Sequence, residues 1–217
     1  MIHRLEKDRR VKTLNSLTAI DIASLLAGAN QSSSDDLNFE VPFPSGLHQG
    51  EPRSAAVLIP LLRKGNVWHV LLTRRTDTLP EHSGQVAFPG GRVGPGDINP
   101  EDTALREARE EIGLKPTDVQ VLGQLNDFVT ITNYRVTPVV GVIPWPFSLH
   151  LEKREVSRVF TIPLEWLADP ANREEQLRSL PPPYPPVTVI YFHPYDNEIL
   201  WGASARFTVT LLKILSL

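Results

Sequence analysis

The chain has 217 residues, 41% hydrophobic and 22% charged, a balance that supports a sizeable core and excludes a wholly disordered polymer. Its 22 Lys and Arg against 25 Asp and Glu leave a formal charge of −3, so no bulk attraction to nucleic acid is expected. With no cysteine, disulfides, thiolate zinc sites and thiol nucleophiles are ruled out, and a reducing cytoplasm is the expected compartment.

Residues 1–50 read as an amino-terminal extension with a short amphipathic helix. Arg4, Lys7, Arg9, Arg10 and Lys12 precede a moderately apolar stretch at 17–29, the outline of an export signal. Asp21 interrupts that stretch, and Ile22, Leu25 and Leu26 recur at helical spacing, so a helix packed on the main body is expected instead. No apolar run approaches the roughly 18–20 residues of a membrane span. The polar run 31–36 and a Pro/Gly-bearing loop lead into a main domain at 51–217.

That domain opens with two strands, 55–62 and 67–73, around the turn signal Lys64-Gly65-Asn66. A short extended piece at 86–88 ends at Pro89-Gly90-Gly91. A loop holding Gly94, Pro95 and Gly96 precedes a helix near 100–112. Further strands are read at 119–125, 135–143 and 188–192. The segment 155–160 leads into a short helix near 164–167. A helix at 204–215 carries Phe207, Leu211, Leu212 and Leu215 on one side. Trp201 and Phe207 read as core residues, and the run Pro181-Pro182-Pro183-Tyr184-Pro185-Pro186 as a stiff loop. Strands interleaved with helices predict an α/β sandwich around one mixed sheet.

The chemistry concentrates in the 100–112 helix. Asn99 is a good N-cap, Pro100 fits the first turn, Glu101 and Asp102 suit the positive end of the dipole, and Gly113 stops the helix. Leu105, Ala108 and Ile112 share the face expected to be buried, with Ala104 beside them. Glu107, Glu110 and Glu111 gather on a neighbouring face, where like charges repel. Arg106 reaches Glu110 at i+4. A hard divalent cation would relieve the repulsion further, because Mg²⁺ takes carboxylate oxygens and leaves positions for phosphate. A solvated acidic face is the other reading of the three glutamates alone.

The segment resembles the Nudix box, G-x5-E-x7-R-E-U-x-E-E-x-G-U with U apolar. Gly91 matches the glycine, and Arg106-Glu107-Ala108-Arg109-Glu110-Glu111-Ile112-Gly113-Leu114 matches the whole second half. Asp97 stands at the first acidic position, and eight residues instead of seven separate it from Arg106. Leu71-Leu72-Thr73-Arg74-Arg75-Thr76 and His82-Ser83-Gly84-Gln85-Val86-Ala87-Phe88-Pro89-Gly90-Gly91 are similar to the signature that precedes the box in coenzyme A pyrophosphatases of that superfamily. Pro80 stands where that subfamily often has Arg.

The resemblance implies a Nudix-type α/β/α sandwich and metal-dependent hydrolysis of a nucleoside diphosphate linkage. The implied substrate is coenzyme A or a derivative, cut to 3′,5′-ADP and 4′-phosphopantetheine. ADP-ribose or a dinucleoside polyphosphate is the alternative substrate, and a non-catalytic nucleotide-sensing module the alternative class. Glu107, Glu110 and Glu111 would hold Mg²⁺ or Mn²⁺. Glu110, Glu155 and Arg106 are the implied catalytic residues, with Glu110 and Glu155 both open as general base. Arg75, His82, Gly84, Phe88, Gly90 and Gly91 are the candidate substrate contacts, Arg75 having Asp77 as an alternative structural partner. The expected partner is a small-molecule nucleotide, with no nucleic acid and no membrane; a homodimer stays open. A basic subsite for the 3′-phosphate of coenzyme A would draw on Arg53, Arg63, Arg74 or Arg75.

Overall fold

Glycine 65, at φ +60°, turns strand β1 (Arg53–Lys64) back into antiparallel β2 (Val67–Arg75), as the Lys64-Gly65-Asn66 signal requires. The computed structural model that shows this describes residues 13–31, 50–78 and 83–215. Next come β3 (Val86–Ala87), β4 (Gly90–Arg92), helix α2 (Pro100–Ile112), β5 (Gln120–Gln124), β6 (Phe128–Val129) and β7 (Tyr134–Val142). The chain ends with β8 (Val156–Pro163), α3 (Leu164–Ala168), β9 (Arg173–Arg178), β10 (Val187–Phe192) and α4 (Gly202–Leu215); α1 (Ala19–Gln31) precedes them all.

The main sheet runs β3-β2-β1-β7-β5, with β8 also on β2, β4 on β1 and β6 on β7. The β1–β7 pair is parallel and the rest are antiparallel, so the sheet is mixed. Beta alternation divides its residues between two cores. Ala56, Leu58 and Leu62 pack with Ala104, Ala108 and Ile112 of α2 on one face. Ile59 and Leu61 pack on the other with Ile22 and Leu26 of α1 and Phe207 and Leu211 of α4. Helices therefore cover both faces, and the chain folds as an α/β sandwich around one mixed sheet.

Two features position the site. First, β1 and β2 pair only at their hairpin end, from Leu61↔Val70 to Lys64↔Val67. Further along, β4 pairs with β1 and β3 with β2, and the Pro89 carbonyl between them accepts from Leu58 N–H at 2.8 Å. The sheet splits there, with the glycine bend in the fork. Second, β9 and β10 form a separate two-stranded sheet. β9 is not predicted from the sequence, because Arg-Glu-Glu-Gln-Leu-Arg is polar and almost wholly exposed.

Helix α1 is integral to the core. Leu17, Ile22 and Leu26 are buried, and Leu26 lies over Gly123, where the β5–β7 register shifts. No described helix is long and apolar enough to cross a membrane. Truncating Leu26 leaves a cavity under α1. Leu26→Ala is expected to lower unfolding free energy by about 2–4 kcal/mol, read from the midpoint shift of urea denaturation at unchanged slope.

Candidate active site

The caps on α2 set its place. The Asn99 side chain accepts from Asp102 N–H at 2.9 Å, and Pro100 opens the first turn. Gly113, at φ +75°, closes the helix, its N–H reaching Arg109 C=O at 3.0 Å. The loop that follows β7 is stitched to this end: His150 N–H donates to Ile112 C=O and Glu152 N–H to Glu111 C=O. Glu155 is carried on the same loop.

Arg106 ties the centre together. Its Nε and Nη2 donate to the Asp97 carboxylate, with Nη2 at 2.9 Å. Its Nη1 donates to Glu107 at 2.9 Å and Glu110 at 3.0 Å, and Nη2 also reaches the Arg92 carbonyl at 2.8 Å. The Asp97 carboxyl is held well below the usual carboxylate range, first by the Arg106 bond and then by Gly94 N–H, which donates at 2.8 Å. Thr103 Oγ1–H donates to it at 2.9 Å. The shorter acid and the extra loop residue are thus accommodated by a tight 94–97 turn. The sequence reading noted Asp97 but gave it no role; its spacing from a Gly-Pro-Gly turn was the available signal.

Glu111 is the most unusual of the acids. It is only 4% exposed and belongs with Ala104, Ala108 and Ile112 on the buried face of α2. Burial raises its pKa to about 8, helped by the charges of Glu107 and Glu155 and opposed by Arg75 and a backbone hydrogen bond from Gly90. Glu111 Oε2 and Arg75 Nε are buried without a hydrogen-bond partner among the described residues. The pKa of Glu107 is also raised, by burial first, against the Arg106 bond and with the charges of Glu110 and Glu155. Glu110 is half exposed.

Close approach explains the paired glycines. A Cβ on Gly90 would lie 2.4 Å from the Ala56 carbonyl oxygen, and one on Gly91 would lie 2.6 Å from the Glu107 carboxyl. Beyond this bend opens a cavity of about 730 Å³. Arg75, Phe88, Gly90, Gly91 and Glu111 line it together. Residues of β10, Arg178 and the start of α4 complete the lining.

Of the predicted contacts, Arg75 faces this cavity, while it is Arg74 that pairs with Asp77, at 2.7 Å. Gly84 is not on the cavity wall; at φ +66° it closes the turn after Arg75, against Asp77. His82 lies outside the described residues. Trp201 departs from its expected core position: it lines the cavity, stacked on Tyr191 at 5.4 Å between centroids. Phe207 is buried as read.

Among the described residues, no three acidic or histidine side chains stand as a finished metal-ligand set. Arg106 Nη1 holds one oxygen of each of the Glu107 and Glu110 carboxylates and leaves the second oxygen of each to other partners. The residues nevertheless fit a hard dication. The donors are carboxylate oxygens, one is buried and unpaired, and the acids raise one another's proton affinity.

The family model described as the NUDIX domain matches residues 51–183. A relative from Photorhabdus laumondii, named as the uncharacterized Nudix hydrolase NudL, is 40% identical over 174 residues, covering 76% of this chain and 87% of the relative. Another NudL, from Escherichia fergusonii, is 48% identical over 112 residues, covering 52% and 58%. Among solved structures, RenU, a Nudix hydrolase from M. smegmatis, is similar at 23% identity and a TM-score of 0.47, over 55% of this chain and 76% of that one. The chain belongs to the Nudix family. It is a hydrolase of pyrophosphate linkages in small nucleotide substrates, a family whose members generally use divalent metal ions.

The raised Glu111 pKa has a defined sign. A folded value near 8 against an ordinary 4.5 means that the folded state binds the extra proton between them. Stability of the metal-free protein should therefore be highest below about pH 4.5 as far as Glu111 contributes, and fall as pH rises through about 8. In chelator-treated protein, Glu111→Gln should flatten this part of a thermal-midpoint profile between pH 5 and 9 (roughly the titration window).

Proposed function

We propose that this Nudix hydrolase cleaves the diphosphate of coenzyme A or a derivative, releasing 3′,5′-ADP and 4′-phosphopantetheine. The reading is carried by one observation: the buried, partly unpaired Glu111 carboxylate lies beside Glu107 and shares a cavity wall with Arg75 and the Gly90-Gly91 bend. The signature-like stretch 71–91 supports the substrate, because it supplies much of that wall.

Glu107, Glu110 and Glu111 would hold Mg²⁺ or Mn²⁺. Bound there, the ions would neutralise phosphate charge and would make an attacking water more acidic. Arg75 grips a phosphate oxygen from the cavity wall. Phe88, Gly90 and Gly91 offer substrate contacts from the same wall. Arg106 keeps Glu107 and Glu110 on one side of the helix. The water oxygen attacks one phosphorus, the bridging P–O bond breaks, and the water proton passes to a carboxylate. Glu155 is the better-supported base: its charge acts on both Glu107 and Glu111, whereas Glu110 is engaged by Arg106. Glu110 remains the alternative.

The test is a substrate panel of coenzyme A, ADP-ribose, NADH and diadenosine polyphosphates, each with Mg²⁺ and with Mn²⁺. Product masses identify the scissile bond. Coenzyme A should give the two named products at the highest kcat/KM. Glu110→Gln and Glu111→Gln should each lower turnover about 10²-fold or more, with the fold retained by circular dichroism. Preferred cleavage of ADP-ribose would move the assignment to that substrate. Full activity in both variants would remove the proposed centre.

A further inference from the structure

Four arginines were candidates for a basic subsite, and their surroundings separate them. Arg63 donates to the carbonyls of Asn15, Leu17 and Asn66, which ties α1's leading segment to the hairpin. Arg74 is paired with Asp77 and Glu198. Arg75 lies beside Glu111. Only Arg53 stands apart, and it stands with an arginine that the sequence reading did not consider.

Strand register explains the meeting. Arg53 of β1 pairs with Tyr134 of β7, and Arg92 of β4 pairs with Ala55, two residues along β1. Residues two apart on a strand share a face, so Arg53, Arg92 and Tyr134 project from the same side of three adjacent strands. It is the cavity side, because Ala55, Val57, Arg92 and Tyr134 all line the cavity. The Arg53 guanidinium lies 4.2 Å and that of Arg92 5.2 Å from the Tyr134 ring centroid. Arg53 also donates to the Thr132 carbonyl at 3.4 Å. Neither forms an ion pair among the described residues. Two neighbouring cations held over one aromatic ring repel each other, and a dianion between them reverses that cost.

The position is close to the reacting centre. Arg92 follows Gly91, which touches Glu107, and the Arg92 carbonyl is held by Arg106. Arg92 is thus the residue next to the glycine bend on the cavity lining. We propose that Arg53 and Arg92, set by Tyr134, form a subsite for a phosphomonoester carried on the ribose of the substrate nucleotide. The subsite rests on the reading of the cavity as a nucleotide diphosphate site, and it makes the enzyme discriminate in favour of nucleotides that carry a second, separate phosphate.

The probes are adenosine 3′,5′-bisphosphate and adenosine 5′-monophosphate, which differ only in that phosphate. Their dissociation constants are measured by calorimetry on the wild-type protein, on Arg53→Gln/Arg92→Gln and on Arg178→Gln. The last removes another cation of the cavity lining, which lies over Trp201 at 5.5 Å from its ring centroid. Wild type should prefer the bisphosphate by about tenfold or more, as expected for charge-assisted bonds to a phosphate. The double variant should lose that preference and Arg178→Gln should keep it. Equal binding of both probes by wild type overturns the subsite, as does a preference that survives in the double variant or disappears in Arg178→Gln. If the double variant does not fold, Arg92→Gln alone supplies the same comparison. Because binding is read without turnover, a subsite can stand while coenzyme A fails as substrate in the panel, and the reverse outcome is equally visible.

Discussion

The guanidinium of Arg106 is the join on which the proposed centre depends. Its five N–H donors reach Asp97 in the loop, Glu107 and Glu110 on the helix, and the Arg92 carbonyl on β4. A planar fork is suited to such a junction, because it donates in several fixed directions at once. Through it the glycine bend, the following loop and the acidic side of α2 are kept in one arrangement. The same bonds hold carboxylates that would otherwise repel, while Glu111, which the fork does not reach, carries the largest burial cost. The carboxylate that Arg106 leaves out is also the one that opens onto the cavity.

Much of the fold was legible because local signals and tertiary packing agree. Asn99, Pro100 and Gly113 bracket α2 where the cap chemistry places them, and Gly65 turns the first hairpin. The elements that escaped notice lack such signals. β9 is polar and exposed, with Leu177 facing solvent, so no apolar alternation marks it. β4 is three residues long and contains two glycines, and its extended state is imposed by pairing with β1.

The site was legible in composition and less so in geometry. Grouping Glu107, Glu110 and Glu111 by charge hid the fact that Glu111 lies three residues after Ala108 and seven after Ala104, on the buried stripe. Alternation along β2 decides the fates of Arg74 and Arg75: adjacent residues face opposite ways, so one meets Asp77 and the other the cavity. Trp201 was assigned to the core on hydrophobicity. Its stack on Tyr191 needs the isolated bridge between those residues, which no short-range pattern announces. The pairing of Arg53 with Arg92 likewise depends on the register of three strands far apart in sequence.

The β9–β10 hairpin, which lines the cavity together with the start of α4, is a sheet of its own, outside the one that frames α2. The proposed carboxylate centre and part of the cavity lining are therefore built from different parts of the polypeptide. The hairpin residues on that lining pair with one another and with no strand of the sheet that carries the glycine bend. Such a division lets a lineage retain one reaction while its descendants diverge in diet.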